Sequence, residues 1–279
     1  MSVPGVRILS REAVLDSIVR QWPDLQSDAV EWIDDGWDFL VLHLGPWAVR
    51  IARSASARCR LAREHALLDV LYDAPCMVPR YERVVPGMAV YPWIPGDAAP
   101  LANSPQDPFG ADAADFIEWL HAQEAPKPQQ DGRETWIRRT RQFCRRALTL
   151  SSPLLAPKEV QKLARRVDAG LAELSNADWR AVLLHGDLAR EHMLVQGGRL
   201  SGVIDFGDWC WGDPAFDWCG IPGLRDSAPS VVARDSGLWS RVAFYQLLVP
   251  LHGIEFGFRQ GHVQTVETQV RILRRLLLI

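Results

Sequence analysis

The chain has 279 residues, 48% hydrophobic and 23% charged, with a formal net charge of −3, which is ordinary for a globular protein and long enough for two lobes sharing a cleft. The slight negative charge and the absence of an RNA- or DNA-binding motif exclude a typical nucleic-acid binder, no run approaches a membrane span, and Met1 to Gly5 leads into no signal-type segment. Cys59, Cys76, Cys144, Cys210 and Cys219 are odd in number and form no metal-spaced pair, so a reducing cytoplasm is expected; the protein is also expected to be a monomer.

In chain order, the apolar runs Ala29 to Ile33 and Phe39 to Leu44 are joined by Asp34-Asp35-Gly36-Trp37-Asp38, a loop with a single glycine and neither a G-x-G-x-x-G nor a Walker pattern. Trp47 to Ala52 alternates, with Trp47, Val49 and Ile51 on one face of a strand and Ala48, Arg50 and Ala52 on the other. Arg50 is thereby aimed away from the apolar layer, toward a cleft. A helix over roughly Ala55 to Tyr72 puts Leu61, Glu64, Leu68 and Leu71 on one stripe. A carboxylate on a buried stripe needs a partner, and Arg50 is the candidate. Met88 to Trp93 reads as a strand that breaks at Pro92 and Pro95-Gly96, and Asn103 to Gly110 as a surface connection. Helices are expected over Ala111 to Gln123, Thr135 to Leu150, Lys158 to Leu174, Leu238 to His252 and Val263 to Leu278.

The densest segment is Leu184 to Asp217. An apolar run, Ala181 to Leu184, delivers the chain into His185-Gly186-Asp187, where Gly186 permits a tight loop. Met193 to Val195 and Leu200 to Ile204 form a hairpin around Gln196-Gly197-Gly198-Arg199. Asp205 stands just past the second strand, where its charge calls for a cation or water.

His185-Gly186-Asp187 to His192, Ile204-Asp205-Phe206 and Gly212-Asp213-Pro214-Ala215-Phe216-Asp217 resemble the catalytic segment of the aminoglycoside and macrolide phosphotransferase family, relatives of the protein kinases. The resemblance implies an α+β, bilobal, protein-kinase-like fold. Residues 1–94 would form a small nucleotide-binding lobe of antiparallel sheet and one helix. Residues 95–279 would form a larger, mainly helical lobe with the catalytic loop and acceptor site. It implies that Asp187 positions or deprotonates the acceptor hydroxyl and that Asp205 binds Mg²⁺ bridging the phosphates of ATP or GTP. His192, where most members carry Asn, is a second metal candidate, although imidazole suits Mg²⁺ less well than an amide oxygen. Arg50 takes the place of the phosphate-binding lysine, paired with Glu64, since the first lysine of the chain is Lys127. Val90, Tyr91 and Trp93 lie at the linker that reads the purine, and Asp34 to Asp38 would cover the phosphates.

Asp213 and Asp217 are expected to brace the catalytic loop, and His185 to pack and hydrogen-bond there. Asp208 either recognises an acceptor amine or is an exposed loop acid. Trp209, Trp211 and Trp218 either wall the acceptor site or pack in a core. From Thr135 to Asp168 cationic residues far outnumber acids, which leans away from a polycationic aminoglycoside and toward a macrolide or another bulky hydroxylated metabolite. The rival expectation is a catalytically silent nucleotide-binding regulator, motivated by Arg50 and His192 at positions usually held by lysine and asparagine.

Overall fold

The computed structural model describes residues 10–25, 29–34, 36–100, 108–124, 132–221, 224 and 235–278. In chain order its main elements are α1 (Arg11–Gln21), β1 (Val30–Ile33), β2 (Phe39–Leu44), β3 (Trp47–Ala52), α2 (Ala55–Leu68), β4 (Arg83–Val85), β5 (Met88–Pro92), β6 (Asp97–Ala98), α3 (Pro108–His121), α4 (Arg133–Ser151), α5 (Pro157–Asn176), β7 (Val182–Leu184), β8 (Met193–Gln196), β9 (Arg199–Val203), β10 (Cys210–Gly212), α6 (Ala215–Trp218), α7 (Leu238–Gln260) and α8 (Val263–Leu278). The chain packs as two compact units, Met1–Ala98 with Met193–Asp208, and Ala99–His192 with Trp209–Ile279. The division is not a single cut near residue 94, because the β8–β9 hairpin pairs with β6 and, through Gly202, with Met77.

The first unit is built on an antiparallel sheet of order β1-β2-β3-β5-β4. Alternation along β3 separates its two faces. Val49, flanked by Trp47 and Ile51, joins Leu42, Leu44 and Val90 in a core covered by Val14 and Ile18 of α1. Full burial of such aliphatic side chains contributes roughly 1.5–3 kcal/mol each. The family resemblance implies one helix in this lobe. The structure adds α1, which is capped by the Ser10 hydroxyl accepting the Ala13 N–H at 3.2 Å and lays Val14, Leu15 and Ile18 against the core. Helix α2 ends at Leu68, a turn before the expected Tyr72, yet Leu71 beyond it is still buried. The hairpin turn places Gly197 at φ 58° and Gly198 at φ 77°, the two left-handed residues that a tight β-hairpin with native twist requires.

In the second unit, α3 starts at Pro108 and not at Ala111, with Phe109 and Gly110 already buried. A proline in the first helical turn forfeits no intrahelical hydrogen bond, so it opens the helix where the sequence suggested a connection. Helix α7 runs on through Pro250 to Gln260, past the expected end at His252, and is stopped by Gly261 at φ 67°. Leu247, Leu248, Leu251 and Ile254 are buried around the proline, so packing offsets the missing hydrogen bond. Strands β7 and β10 form a two-stranded antiparallel ladder that frames the His185 to His192 loop.

Candidate active site

Within the first unit, β3 and α2 bring two opposite charges together in the interior. Arg50 is 4% exposed and Glu64 fully buried. Arg50 Nη1 donates to both Glu64 oxygens, at 2.7 and 2.6 Å, while Nη2 donates to Asp205 Oδ1 at 2.5 Å. The Phe206 N–H also donates to Glu64, at 3.0 Å. Burial opposes the guanidinium charge, but Glu64, Tyr81 and Asp205 together hold its pKa well above the usual arginine value. The Phe39 ring lies 3.8 Å from the guanidinium carbon, adding a cation–π contact. Arg50 is thus enclosed by partners, with Glu64 in the place expected for its counter-charge.

Asp205 is the one described non-glycine residue with positive φ, at 66°, a conformation that costs a bulky residue energy and that Asp tolerates better than most. Its side chain is 39% exposed. The cation demanded by its position past the strand end is supplied at least in part by Arg50. Tyr81 lies 3.4 Å from Arg50 Nη1, a contact that no local sequence pattern announces.

Beside this cluster, Ala48, Tyr91 and Ile94 form a small apolar group with Trp93, Leu194 and Ile204 against it. Burial pushes the Tyr91 phenol up to about 12, so it stays neutral at physiological pH. Trp93 stacks on His43 with centroids 3.8 Å apart. The Val90 side chain lies in the opposite core with Val14 and Ile18, and its backbone is flanked by both β3 and β4.

In the second unit, the loop after β7 is organised by Asp217. Its two oxygens accept the His185 N–H at 2.9 Å and the Gly186 N–H at 3.1 Å, and His121 Nε2 donates at 3.1 Å. Gly186 sits at φ 85°, which a side chain would resist. His185 is buried and its Nδ1 accepts the Asp187 N–H at 3.3 Å, placing the proton of the neutral ring on Nε2. The Asp187 carboxylate, 57% exposed, projects from this braced loop. His192 Nδ1 donates to the Asp187 carbonyl at 2.7 Å, so any further ligand of that ring would use Nε2. Gly220 passes so close that a Cβ on it would meet the Leu188 carbonyl oxygen at 1.8 Å.

Asp213 serves a different purpose from Asp217. It accepts from Arg241 Nε at 2.8 Å, the Tyr245 hydroxyl at 3.0 Å and the Ala215 N–H at 3.0 Å, and Arg241 also reaches Asp235 at 2.6 Å. Both acids are structural in position, and His121, Arg241 and Gly220 are the supporting residues that the motif did not reveal.

The acceptor candidates divide. Trp209 and Trp218 are buried, so they act in packing; Trp211 is half-buried in β10. Asp208 belongs to the first unit, with its carboxylate 3.6 Å from Arg60 Nη1, so a cation of the chain itself already stands beside it. Asp35 of the β1–β2 loop lies outside the described residues, as does most of the stretch 103–110. No group of three or more His, Cys, Asp or Glu arranged to hold a metal occurs among the described residues, nor is any helix among them long and apolar enough to cross a membrane.

Residues 28–221 match the model of the phosphotransferase enzyme family, APH. The chain belongs to that family. No curated protein sequence gives a match. Among solved structures, the GDP and kanamycin complex of APH(2")-IIia is 20% identical with a TM-score of 0.81, covering 94% of this chain and 97% of that one. The apoenzyme of macrolide 2'-phosphotransferase MphH from Brachybacterium faecium is 23% identical with a TM-score of 0.76, covering 94% and 98%. The streptomycin-ATP-APH(2")-IIa ternary complex is 16% identical with a TM-score of 0.66, covering 95% and 99%. These likenesses establish the fold of this phosphotransferase-family chain as α+β and protein-kinase-like, with an antiparallel-sheet lobe and a helical lobe.

Proposed function

We propose that the chain is a small-molecule O-phosphotransferase that moves the γ-phosphate of ATP or GTP to a hydroxyl of an antibiotic-type acceptor, a macrolide in preference to an aminoglycoside. The observation that carries this is the buried Arg50–Glu64 pair extended to Asp205, the charge arrangement on which phosphoryl-transfer sites of this fold class depend. The neighbours solved with GDP and with ATP support a nucleotide donor, and family membership supports transfer chemistry.

On this reading Asp187 accepts the proton of the acceptor hydroxyl, held in place by Asp217 through the His185 and Gly186 amides. The apolar group around Ala48, Tyr91 and Ile94 receives the base. Asp205 fits Mg²⁺ as a hard oxygen donor, and His192 Nε2 is a weaker second candidate. Mg²⁺ commonly takes one or two protein ligands and completes its shell with phosphate and water, so the lack of a protein-only metal cluster among the described residues is compatible with it. When bound, the ion would neutralise charge on the phosphates.

The preference for a macrolide rests on charge. Asp208, the one acid considered as an amine anchor, is paired with Arg60, and the helical unit is rich in arginine along α4. Along α4 a polycation meets six arginines and the single acid Glu134, whereas a bulky acceptor with one amine needs fewer acids.

The competing reading, a silent nucleotide-binding regulator, draws on the engagement of Arg50 by Glu64 and Asp205, which leaves its guanidinium less available to phosphate. Phosphate transfer from ATP and GTP to a panel of macrolides, aminoglycosides and small hydroxylated metabolites decides between them. Asp187→Asn should abolish transfer with nucleotide affinity largely kept. Transfer at the wild-type rate in that variant sinks the role of Asp187, and tight nucleotide binding without turnover on any acceptor favours the regulator.

A further inference from the structure

We infer that Arg60 is a positioning residue: it latches the β1–β2 loop to α2 and to the turn after Asp205, and thereby sets the affinity for nucleotide. The inference rests on the proposed reading of that loop as the cover of the nucleotide phosphates. Arg60 lies one helical turn before Glu64, on the same side of α2. Where Glu64 reaches inward to Arg50, Arg60 reaches two other elements. Its Nη2 pairs with Asp38 at the end of the loop, and its Nη1 stands 3.6 Å from Asp208 Oδ1, three residues past the metal-candidate Asp205. Between those acids its stem runs over Gly207, where a Cβ would sit 3.8 Å from that of Arg60.

The loop has little slack of its own. At its other end Asp34 pairs with Arg53 through both carboxylate and carbonyl, and the Arg53 N–H donates to the Asp38 carbonyl at 2.8 Å. Its single glycine is required, because a Cβ at Gly36 would meet the Phe39 carbonyl oxygen at 2.8 Å. The loop therefore reaches its place through tight backbone and two arginine contacts, not through glycine flexibility.

Arg60, Asp38 and Asp208 are 29%, 41% and 53% exposed. Each pair is individually weak and open to screening, so the latch governs where the loop sits more than whether the unit folds. An anionic nucleotide arriving under this loop meets Asp34 and Asp38 already paired with Arg53 and Arg60. Without Arg60, Asp38 and Asp208 repel the phosphates.

Two measurements on the intact chain test this. In nucleotide-free protein, hydrogen exchange of a peptide spanning 33–39 should quicken severalfold in Arg60→Gln and in Asp38→Asn, with no further gain in the double variant. In fluorescent-nucleotide titrations with magnesium, Arg60→Gln should weaken binding roughly fivefold at low salt, with the gap closing at high salt as surface pairs are screened. Arg60→Lys should restore most of the affinity, and the acceptor KM should not move. Additive exchange effects, or an affinity loss that is independent of salt, overturn the latch. A wild-type protein that binds no nucleotide overturns the kinase reading, and the exchange experiment then still decides whether Arg60 holds the loop.

Discussion

Glu64→Gln probes the centre of the first unit with one atom's change. In the native chain Arg50 Nη1 shares its hydrogens between two carboxylate oxygens at 2.6 and 2.7 Å, and the same carboxylate takes the Phe206 N–H. A glutamine keeps a single acceptor for these donors and turns an NH₂ group against a buried guanidinium. Removing one partner of a buried pair costs about 3–5 kcal/mol. Asp205 still contacts Nη2 at 2.5 Å, so the lower end, about 3 kcal/mol, is expected. For a chain of this size that lowers Tm by roughly 6–12 °C, read by calorimetry without nucleotide. Transfer should fall at least about tenfold, since displacing Arg50 by an ångström misplaces the group beside Asp205. The double variant Arg50→Met with Glu64→Leu should recover part of the lost stability, because an apolar pair removes both buried charges and leaves Asp205 able to hydrate. It should recover no transfer. A Glu64→Gln protein melting within about 1 °C of wild type would refute the claim that this pair is a buried, enclosed charge site.

Three further outcomes follow from the second unit and the cysteines. Asp217→Asn leaves one carboxylate acceptor lost among the amides of His185 and Gly186 and the His121 ring, at about 1–3 kcal/mol; kcat should fall with nucleotide affinity unchanged, and a fall in nucleotide affinity alone would contradict the assignment. Gly220→Ala drives a methyl into the Leu188 carbonyl, so the His185 to His192 loop must shift. Full transfer activity in that variant would show that the loop is not held by this contact. Burial pushes the Cys144 and Cys219 thiols up to about 12, while Cys59 is exposed. At pH 8 an alkylating reagent followed by mass spectrometry should therefore modify Cys59 first and leave Cys144 and Cys219 until the chain unfolds.

Local features of the sequence were sufficient for the β3 alternation, the Gly197-Gly198 turn, the tight loop at Gly186 and the stripe that carries Glu64, because each follows from a period of two or 3.6 residues or from glycine's steric freedom. The pairing of Arg50 with Glu64 was also legible, since a buried charge restricts its choice of partner. What the tertiary structure alone decided is how those groups are shared. Arg50 divides its guanidinium between Glu64, 14 residues away, and Asp205, 155 residues away. Arg60 stands beside Asp208 at 3.6 Å, and Val90 and Trp209 are placed in cores. The close approach of Gly220 to Leu188 likewise joins segments that no local period relates. Periodicity reports which face of an element a residue occupies. Which partner that face meets depends on how distant segments pack, and for a polar group the partner determines whether it is structural, catalytic or free to bind.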